Sequence, residues 1–552
     1  MTKYFFVAAC ISLLFNSCGG DSKREAAYDG KTVFKYNESA GITTLDPAIA
    51  HHYEDLLAVS QIFNGLVTLD EEMKIVPAIA KSWEVSDNGK IYTFLLRDDV
   101  KFHDHKVFKN PDQRIVKAED VVYTFQRIMN PDTRSPGLYI FQNIDRSEVN
   151  LFKGVVAEGD SVVKVYLKSS QPSFLYQLSL PNCGIVPSEA VEYFSNNFGE
   201  NPVGTGPFVF KKWKRNVKLV LAKNKEYFEK DAEGNALPYL DAVSISFIKD
   251  RHVEYVEFKN GKLDMISGLN ESEKDELISI EGELNPALAN EFYLQKTPWL
   301  NTDYLGILVD PRLNVVIQSP LQKQLVRQAI GYCIDTKSLV RYMRNNIGVA
   351  ATTGFIPKGM PGYDAYAIEG FTYDLNKAKK LLKEAGYDDF SKIPKITLVA
   401  TAEYTLLCTY IQNALNELGL NVEVDILTAS YMSQSIAQFE SNFYRKSWIA
   451  DYPDAINYFQ LFYSKNFYPE NGLNYTHFQN NTFDELYELA LIEDSTELRY
   501  EYYKDMQQII HDQAPVIPLF YAETLRFLTK KVSGLKGNSL NMLNLTQTKI
   551  EE

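Results

Sequence analysis

Pro202-Val203-Gly204-Thr205-Gly206-Pro207-Phe208 is the stretch that decides much of the fold, because it demands a tight passage of the backbone. Its two glycines permit conformations that side chains forbid, and Pro207 restricts its own φ angle just before an aromatic, strand-like segment. Such a run is typical of a tight crossover between two structural units. We therefore interpret it as part of the scaffold.

Strand and helix periodicities alternate on both sides of this stretch, which predicts mixed α/β domains. Alternating apolar residues predict strands at Ile91 to Leu96, around Val163 to Leu167, at Lys218 to Leu221 and around Val243 to Phe247. A helix is predicted after Asp374, which can cap it. Gly386 ends that helix, and its apolar face comprises Ala378, Leu381, Leu382 and Ala385.

A second helix is predicted after Asp494, whose carboxylate can form a capping box with Glu497. The helix should stop before Pro515. Its predicted buried stripe comprises Leu498, Tyr502, Met506, Ile509 and Ile510.

Length and composition limit the classes of protein. A chain of 552 residues exceeds the usual size of one domain, which favours two or three domains. The 57 basic and 71 acidic residues give a net charge of −14, which opposes binding to nucleic acid because phosphates need Lys and Arg partners. The 35 Tyr and 32 Phe suit a large core and an aromatic-lined pocket.

The N-terminal segment is typical of an exported protein. Lys3 supplies a basic start, and the apolar run from Tyr4 to Phe15 is too short to span a bilayer comfortably. Phe15-Asn16-Ser17-Cys18 resembles a bacterial lipobox, although Phe15 and Asn16 depart from its commonest residues. The resemblance implies that residues 1–17 are a cleaved signal peptide and that Cys18 carries a lipid at the start of a tether reaching residue 31. The alternative is an ordinary secretory signal with a chance cysteine.

Catalytic and metal-binding patterns are weak in this sequence. Outside the leader, three cysteines at wide spacings cannot all pair with one another, and they form no C-x-x-C zinc pattern. His103 and His105 would share a face of a strand, but we interpret this segment as a solvated turn and predict no metal site. No cofactor and no catalytic residue are predicted.

From about Lys31 to its end, the chain resembles the bacterial extracellular solute-binding proteins of family 5, which include dipeptide-, oligopeptide- and nickel-binding proteins. A dozen short motifs carry the resemblance in the family's order. They include Thr44-Leu45-Asp46-Pro47-Ala48, Gln61-Ile62-Phe63-Asn64-Gly65-Leu66-Val67, Pro77-Ala78-Ile79-Ala80-Lys81-Ser82-Trp83-Glu84-Val85, Ala118-Glu119-Asp120-Val121-Val122, Pro202 to Phe208, Lys259-Asn260-Gly261-Lys262-Leu263-Asp264 and Val326-Arg327-Gln328-Ala329-Ile330.

The resemblance implies an α/β fold of the periplasmic-binding-protein type II-like class (cluster C), with two lobes joined by a hinge and an extra domain. The implied divisions are domain I at 32–71, 199–306 and 521–552, domain II at 72–198, and domain III, the second lobe, at 307–520. The implied function is capture of a short peptide between the lobes and its delivery to the permease subunits of an ABC importer. We expect a monomer, lipid-anchored on the periplasmic side of a bacterial membrane, that is not an enzyme.

The segment Arg445-Lys446-Ser447-Trp448-Ile449-Ala450-Asp451-Tyr452-Pro453-Asp454 is similar to the run in which peptide-binding members use an aspartate, here Asp451, to bind the peptide's α-ammonium group. A buried ammonium needs an opposite charge and hydrogen-bond acceptors, and a carboxylate supplies both. Asp454 is the nearest substitute for that role.

The resemblance also places Arg445 where a basic residue meets the ligand's carboxylate, and Lys446 could take its place. Tyr431, Trp448 and Tyr521 fall on pocket-lining segments, although aromatic residues at such positions are equally typical of a core. Strand edges would bond the backbone of an extended peptide.

Three alternatives stay open on the sequence. The same fold could bind a nickel chelate, haem or an oligosaccharide. The chain could be a surface hydrolase, although no catalytic triad or metal motif supports that, or a signalling or adhesion protein without an importer.

Overall fold

The computed structural model describes residues 30–146, 154–268, 273–470 and 472–551. The expected signal peptide, Cys18 and most of the tether lie outside the described residues. Within the described part of the chain, no helix is long and apolar enough to cross a membrane.

Strands and helices alternate along the chain. The strands are β1 Val33–Asn37, β2 Val67–Leu69, β3 Ile75–Pro77, β4 Ala80–Ser86, β5 Ile91–Leu96, β6 Val155–Glu158, β7 Val162–Tyr166, β8 Phe208–Lys214, β9 Lys218–Lys223, β10 Ala242–Ser246, β11 Met265–Ser267, β12 Phe292–Ile307, β13 Val349–Ala350, β14 Ile396–Thr401, β15 Val422–Leu427, β16 Phe443–Ile449, β17 Val516–Thr529, β18 Val532–Ser533 and β19 Lys549–Ile550.

The α-helices are α1 Tyr53–Ile62, α2 Ala118–Met129, α3 Phe174–Leu178, α4 Ser188–Phe194, α5 Arg251–Lys259, α6 Lys274–Leu277, α7 Asn314–Ile317, α8 Gln324–Cys333, α9 Thr336–Met343, α10 Tyr363–Tyr366, α11 Leu375–Glu384, α12 Thr405–Leu418, α13 Ala429–Ala437, α14 Ile456–Phe459, α15 Asn481–Ile492 and α16 Thr496–Gln513. Short 3-10 helices lie at Pro111–Arg114, Pro131–Thr133, Pro136–Phe141, Pro181–Cys183, Ser195–Glu200, Pro286–Leu288, Pro320–Gln322, Phe390–Lys392, Ala402–Tyr404 and Ser464–Asn466.

One mixed sheet runs through the molecule in the order β15-β14-β16-β12-β17-β11-β1-β10-β9-β8, with β13 added beside β17. A separate antiparallel sheet has the order β4-β5-β7-β6. The expected α/β architecture of the periplasmic-binding-protein type II-like class is confirmed.

The long antiparallel strands β12 and β17 connect the lobes. Their ladder is interrupted between Pro298 and Thr302. On one side of the interruption, Leu528 packs in the core of the N-terminal lobe, which includes Phe34 and Ile245. On the other side, Leu305 packs in the core of the C-terminal lobe. An irregular register between two packed cores is where strands can bend, so this interruption marks the hinge.

The predicted strands are confirmed as β5, β7, β9 and β10. The helix predicted after Asp374 is confirmed as α11, since the Asp374 carboxylate accepts a hydrogen bond from the Lys377 N–H at 2.9 Å. Gly386 follows this helix with a φ of +89°, a left-handed conformation that favours glycine.

The second predicted helix exists as α16, but its predicted cap is wrong. Ser495 caps the helix by accepting the Leu498 N–H, while the Asp494 carboxylate accepts the Ser170 hydroxyl at 2.7 Å. The predicted stripe is also partly wrong, because Leu498 is 42% exposed. The buried face instead carries Arg499, Tyr503, Met506, Gln507 and Ile510.

The loop from Pro202 to Phe208 is held by a buried histidine. The Gly204 N–H donates to His103 Nδ1 at 3.3 Å, and His103 Nε2 lies 2.9 Å from the Gly206 carbonyl oxygen. A Cβ at Gly204 would lie 2.2 Å from the Ile62 oxygen, so the glycines are needed for close packing. Neither has a positive φ, and His103 is buried, which corrects the interpretation of its segment as a solvated turn.

This histidine should make folding sensitive to acid. Burial lowers the pKa of His103 to about 4, whereas an unfolded histidine titrates near 6.5. The unfolded chain therefore gains a proton first as the pH falls, and the free energy of unfolding should drop between about pH 6.5 and pH 4, by about 3 kcal/mol in all. Urea unfolding of the wild type and of His103→Gln across this pH range measures the effect. The variant should lack the part of the drop in the free energy of unfolding that comes from His103.

His51, an exposed histidine, provides the matched control His51→Gln, which should keep the wild-type pH dependence. A constant difference in stability between the wild type and His103→Gln at every pH would contradict the expectation.

Candidate functional site

Strand β16 offers an open edge at the centre of the C-terminal lobe. Ala450 donates its N–H to the Leu300 carbonyl at 2.8 Å, which continues the ladder with β12. This bond shows which residues of β16 form backbone hydrogen bonds with β12. Even-numbered residues of β16 therefore point their backbone groups at β12, and Ser447 and Ile449 point theirs the other way. β14 meets that other edge only where Val399 lies opposite Tyr444. Beyond Tyr444, no strand of the described chain pairs with it.

Asp451 lies two residues after the end of β16. Its side chain is exposed, yet the surrounding protein raises the pKa of its carboxyl above the ordinary range. Solvent can therefore reach this carboxylate, although the protein around it disfavours its charged form. No Lys or Arg of the described residues forms an ion pair with it.

Asn457 fixes the position of Asp451. The Asn457 Nδ2 group donates to Asp451 Oδ2 at 3.1 Å, and the Asn457 Oδ1 atom accepts from the Asp451 N–H at 3.2 Å. The same Oδ1 accepts from Trp448 Nε1 at 3.1 Å. Asn457 is almost fully buried, so Trp448 and Asp451 are held together by one rigid residue.

Two neighbouring carboxylates, unlike Asp451, are neutralised by arginines. Arg445 forms a buried ion pair with Asp303 on β12, and its guanidinium stacks on the Tyr404 ring. Asp454, the proposed substitute for Asp451, pairs with Arg499 and accepts the Tyr503 hydroxyl at 2.7 Å. Both pairs are internal to the lobe.

Lys446 projects from the opposite face of β16 to Arg445, on the same face as Trp448. It is half-buried, and its Nζ lies 3.9 Å from the centre of the Tyr475 ring. Burial, followed by the charge of Arg445, lowers the pKa of Lys446 to about 8. No carboxylate of the described residues pairs with it.

The two remaining predicted residues, Tyr431 and Tyr521, lie on other elements than Asp451. Tyr431 is 53% exposed in the first turn of α13, beside the cluster that contains Tyr444 and Tyr475. Tyr521 is buried on β17 next to the hinge, where its hydroxyl donates to the Gly354 carbonyl at 2.8 Å. The structure thus brings Asp451 and Trp448 together. Tyr521, by contrast, is a buried residue that packs inside the protein.

The N-terminal lobe faces Asp451 with residues that the sequence analysis missed. Tyr139 is 40% exposed, and its pKa is raised well above the ordinary value by burial and by the charge of Asp451. Gln177 lies close to the Tyr452 side chain. Asn457 was also missed, because a residue six positions from Asp451 carries no local signal of contact.

A contact at the rim also joins the lobes. The Ser170 hydroxyl donates to Asp494 at 2.7 Å across 324 positions of sequence. Gly89, at a φ of +81°, packs so closely that a Cβ there would lie 2.1 Å from the Ser170 Oγ atom. The lobes therefore touch at a bond that is distant from the hinge.

Comparison with known proteins agrees with this architecture. Residues 74–469 match the family model described as bacterial extracellular solute-binding proteins, family 5 Middle. The dipeptide-binding protein DppE of Bacillus subtilis is 25% identical over 542 residues, which cover 95% of this chain and 93% of the relative. The heme-binding protein A of Haemophilus influenzae is 27% identical over 557 residues and covers 96% of both chains.

Among solved structures, the chain is similar to the ABC transporter-associated periplasmic binding protein DppA from Helicobacter pylori in complex with the peptide STSA. The TM-score is 0.74 at 25% identity, over 96% of this chain and all of the other. The similarity therefore extends over both lobes.

The rim contact should influence how often the lobes separate. Ser170→Ala removes a hydrogen bond to a charged group, which costs the closed arrangement about 1 to 2 kcal/mol. This corresponds to roughly a fivefold to thirtyfold shift towards separated lobes. Small-angle X-ray scattering should show a larger radius of gyration for the variant.

The neighbouring Ser169 provides a matched control, because its hydroxyl bonds Asn143 within the same lobe at 3.2 Å. Ser169→Ala should leave the radius unchanged. Equal radii for Ser170→Ala and the wild type would show that the rim contact has no influence on closure.

Proposed function

Since the chain belongs to the bacterial extracellular solute-binding proteins of family 5, we propose that it captures a short peptide in the cleft between its lobes. The observation that carries this proposal is the state of Asp451. Asp451 is exposed, its carboxylate is held by Asn457, and it lacks a cationic partner in the described chain. A peptide's α-ammonium group supplies the missing charge and up to three N–H donors.

The energetics favour a cationic group at this position. Protein surroundings already disfavour the charged form of Asp451, as its raised pKa indicates. An ammonium group placed against the carboxylate would stabilise the ionised form, because opposite charges attract more strongly where water is partly excluded. The nearby Asp454 and Asp303 each pair with an arginine of the protein. These two carboxylates are therefore not free to pair with a ligand's ammonium group.

The open edge of β16 supports a ligand with an extended backbone. Ser447 and Ile449 direct backbone N–H and C=O groups into the gap left by β14. A peptide can add to such an edge as a further strand and bind through its main chain, which places few demands on its side chains. Trp448 and Tyr431 would then line the space for those side chains.

Closure of the lobes completes the proposed site. Tyr139 and Gln177 come from the N-terminal lobe and meet the segment around Asp451 and Tyr452. A peptide bound between these surfaces would favour the closed arrangement, since it contacts both lobes only there. Tyr521 sits beside the hinge and supports the wall of the cleft.

Delivery to a membrane permease follows from the same proposal. The Helicobacter pylori neighbour is an ABC transporter-associated periplasmic binding protein, and the Bacillus subtilis relative is a dipeptide-binding protein. We propose the same role for this chain, as a monomer attached outside the membrane through a lipid on Cys18. Binding without turnover is the whole of this function, so no catalytic residue is required.

Replacement of Asp451 should test the proposal directly. Asp451→Ala should weaken the binding of a short peptide by about 3 kcal/mol, on the order of a hundredfold, because the ammonium would be buried without a partner. Calorimetry with tripeptides and tetrapeptides measures this loss. N-acetylated peptides lack the α-ammonium group, so they should bind weakly to the wild type. Their affinity should fall little further in Asp451→Ala.

Acid should weaken peptide binding in the same assay. As the pH falls towards the raised pKa of Asp451, the carboxyl is protonated and loses its attraction for the ammonium. Asp451→Ala should lack this component of the pH dependence.

Asp505→Asn, at an exposed position on α16, is the control and should bind as the wild type does. Equal peptide affinity of Asp451→Ala and the wild type would rule out the proposed role of the carboxylate. Binding of hemin with no binding of any peptide would replace peptide by haem as the cargo.

A further inference from the structure

The hairpin of β8 and β9, residues 208–223, is a strongly basic part of an acidic protein. It contains six basic residues and no acidic residue, although the whole chain has a net charge of −14. Lys211, Lys212 and Lys214 are exposed, and none of them forms an ion pair with a carboxylate of the described residues. The charges of these three lysines are therefore not compensated within that part of the chain.

The register of this basic hairpin places its lysines on one face. Lys214 lies directly opposite Lys218, and Trp213 lies opposite Leu219. Trp213 and Leu219 pack in the core of the N-terminal lobe. Because side chains alternate along a strand, Lys212, Lys214 and Lys218 point to the other face of the sheet. The positive charges therefore form one continuous surface.

The turn of the basic hairpin adds an apolar side chain to this surface. Val217 is 49% exposed and follows Asn216, whose φ of +56° helps the chain to reverse. The Arg215 guanidinium lies 4.5 Å from the centre of the Trp213 ring. Positive charge beside an exposed apolar residue suits the boundary of a lipid bilayer, where phosphates lie above acyl chains.

We propose that the basic hairpin contacts the anionic lipid headgroups of the membrane outside which the protein is attached. Lysine ammonium groups attract the phosphates of an acidic bilayer, and each basic residue close to such a surface strengthens binding by about fivefold. The inference goes beyond peptide capture, because it concerns how the N-terminal lobe lies on the membrane. It uses the proposed function only for the attachment through Cys18.

The kind of basic residue favours lipid over an acidic protein segment. Five of the six basic residues are lysines, and the arginine pairs with Glu200. An ammonium group is a point charge that requires no fixed orientation of its partner, whereas specific binding of a carboxylate favours the planar guanidinium. A surface of exposed lysines therefore suits a layer of mobile phosphates.

The proposed attachment point permits this contact. β8 and β9 lie in the sheet beside β10, which lies beside β1. Asn37 at the end of β1 is level with Ser246 and Lys218, so the turn lies about 13 Å along the strands from Val33 at the start of β1. Cys18 precedes Val33 by about 15 residues, which span up to about 50 Å when extended. The basic hairpin can therefore reach the lipid surface that holds Cys18.

Contact through the basic hairpin would leave the peptide site accessible. β8 is the edge strand of the main sheet, and six strands separate it from β16. Asp451 and the open edge of β16 belong to the C-terminal lobe, which can therefore move while the N-terminal lobe lies on the membrane. Membrane contact and peptide capture are separable properties.

Vesicle sedimentation tests the contact with the chain from residue 19 to residue 552, which carries no lipid and keeps every described residue. This chain should bind vesicles that contain about one-third phosphatidylglycerol but not vesicles of phosphatidylcholine alone, because only the former carry net negative charge. Raising the salt concentration from about 50 mM to about 500 mM should abolish the binding, since salt screens attraction between exposed charges.

Lys212→Gln combined with Lys214→Gln removes two charges of the basic hairpin. This double variant should bind the acidic vesicles about thirtyfold more weakly. It should unfold at the same temperature as the wild type and bind peptide equally well, since both side chains are exposed and form no ion pair in the described chain. Lys81→Gln combined with Lys90→Gln removes the same charge beside the smaller sheet and should keep the wild-type vesicle affinity.

Three results would overturn the inference. The first is equal vesicle affinity of the hairpin double variant and the wild type, and the second is no binding of the wild type to acidic vesicles at low salt. The third is binding to polyglutamate without binding to acidic vesicles, which would assign the basic hairpin to an acidic protein partner. None of these results depends on the peptide affinity of Asp451→Ala, so failure of this inference is distinguishable from failure of the proposed peptide capture.

Discussion

The structure depends on two antiparallel strands, β12 and β17, that run from one lobe into the other. Hydrogen bonds along both halves tie each lobe to the same pair of strands, and the ladder is irregular only near Pro298 to Thr302 and between Asp303 and Tyr304. The lobes can therefore move about this pair without losing their own cores. The main sheet continues through the hinge, while separate hydrophobic cores lie on either side of it.

Charge compensation gives the cleft its chemical character. Buried carboxylates in this protein generally have a partner, as Asp46 has Arg127, Asp303 has Arg445 and Asp454 has Arg499. The cost of removing an ion from water explains why such pairs form inside the lobes. Asp451 and Lys446 are left without a described partner of opposite charge where the edge of β16 is also open. A zwitterionic ligand with an extended backbone would satisfy all three features at once.

Local sequence rules predicted local structure well. The cap at Asp374 and the left-handed Gly386 depend on residues within a single turn of helix, so α11 could be predicted correctly. The same rule assigned the cap of α16 to Asp494 and was wrong, because that carboxylate bonds Ser170 from the other lobe. The loop around Gly204 was recognised as tight, but its physical reason is the close approach of the Ile62 backbone, and the sequence carries no sign of that contact.

The sequence by itself determined the α/β class, the strands and helices with strong periodicity, and the segment from Arg445 to Asp454 as a candidate site. These depend on patterns that repeat over a few residues. Only the tertiary structure decided which charges are available, since Arg445 meets Asp303 across 142 positions and Asp454 meets Arg499 across 45. It also decided that Tyr139 faces Asp451 from the other lobe. Electrostatic pairing acts through space, so the role of an ionised side chain depends on neighbours that its local sequence does not specify.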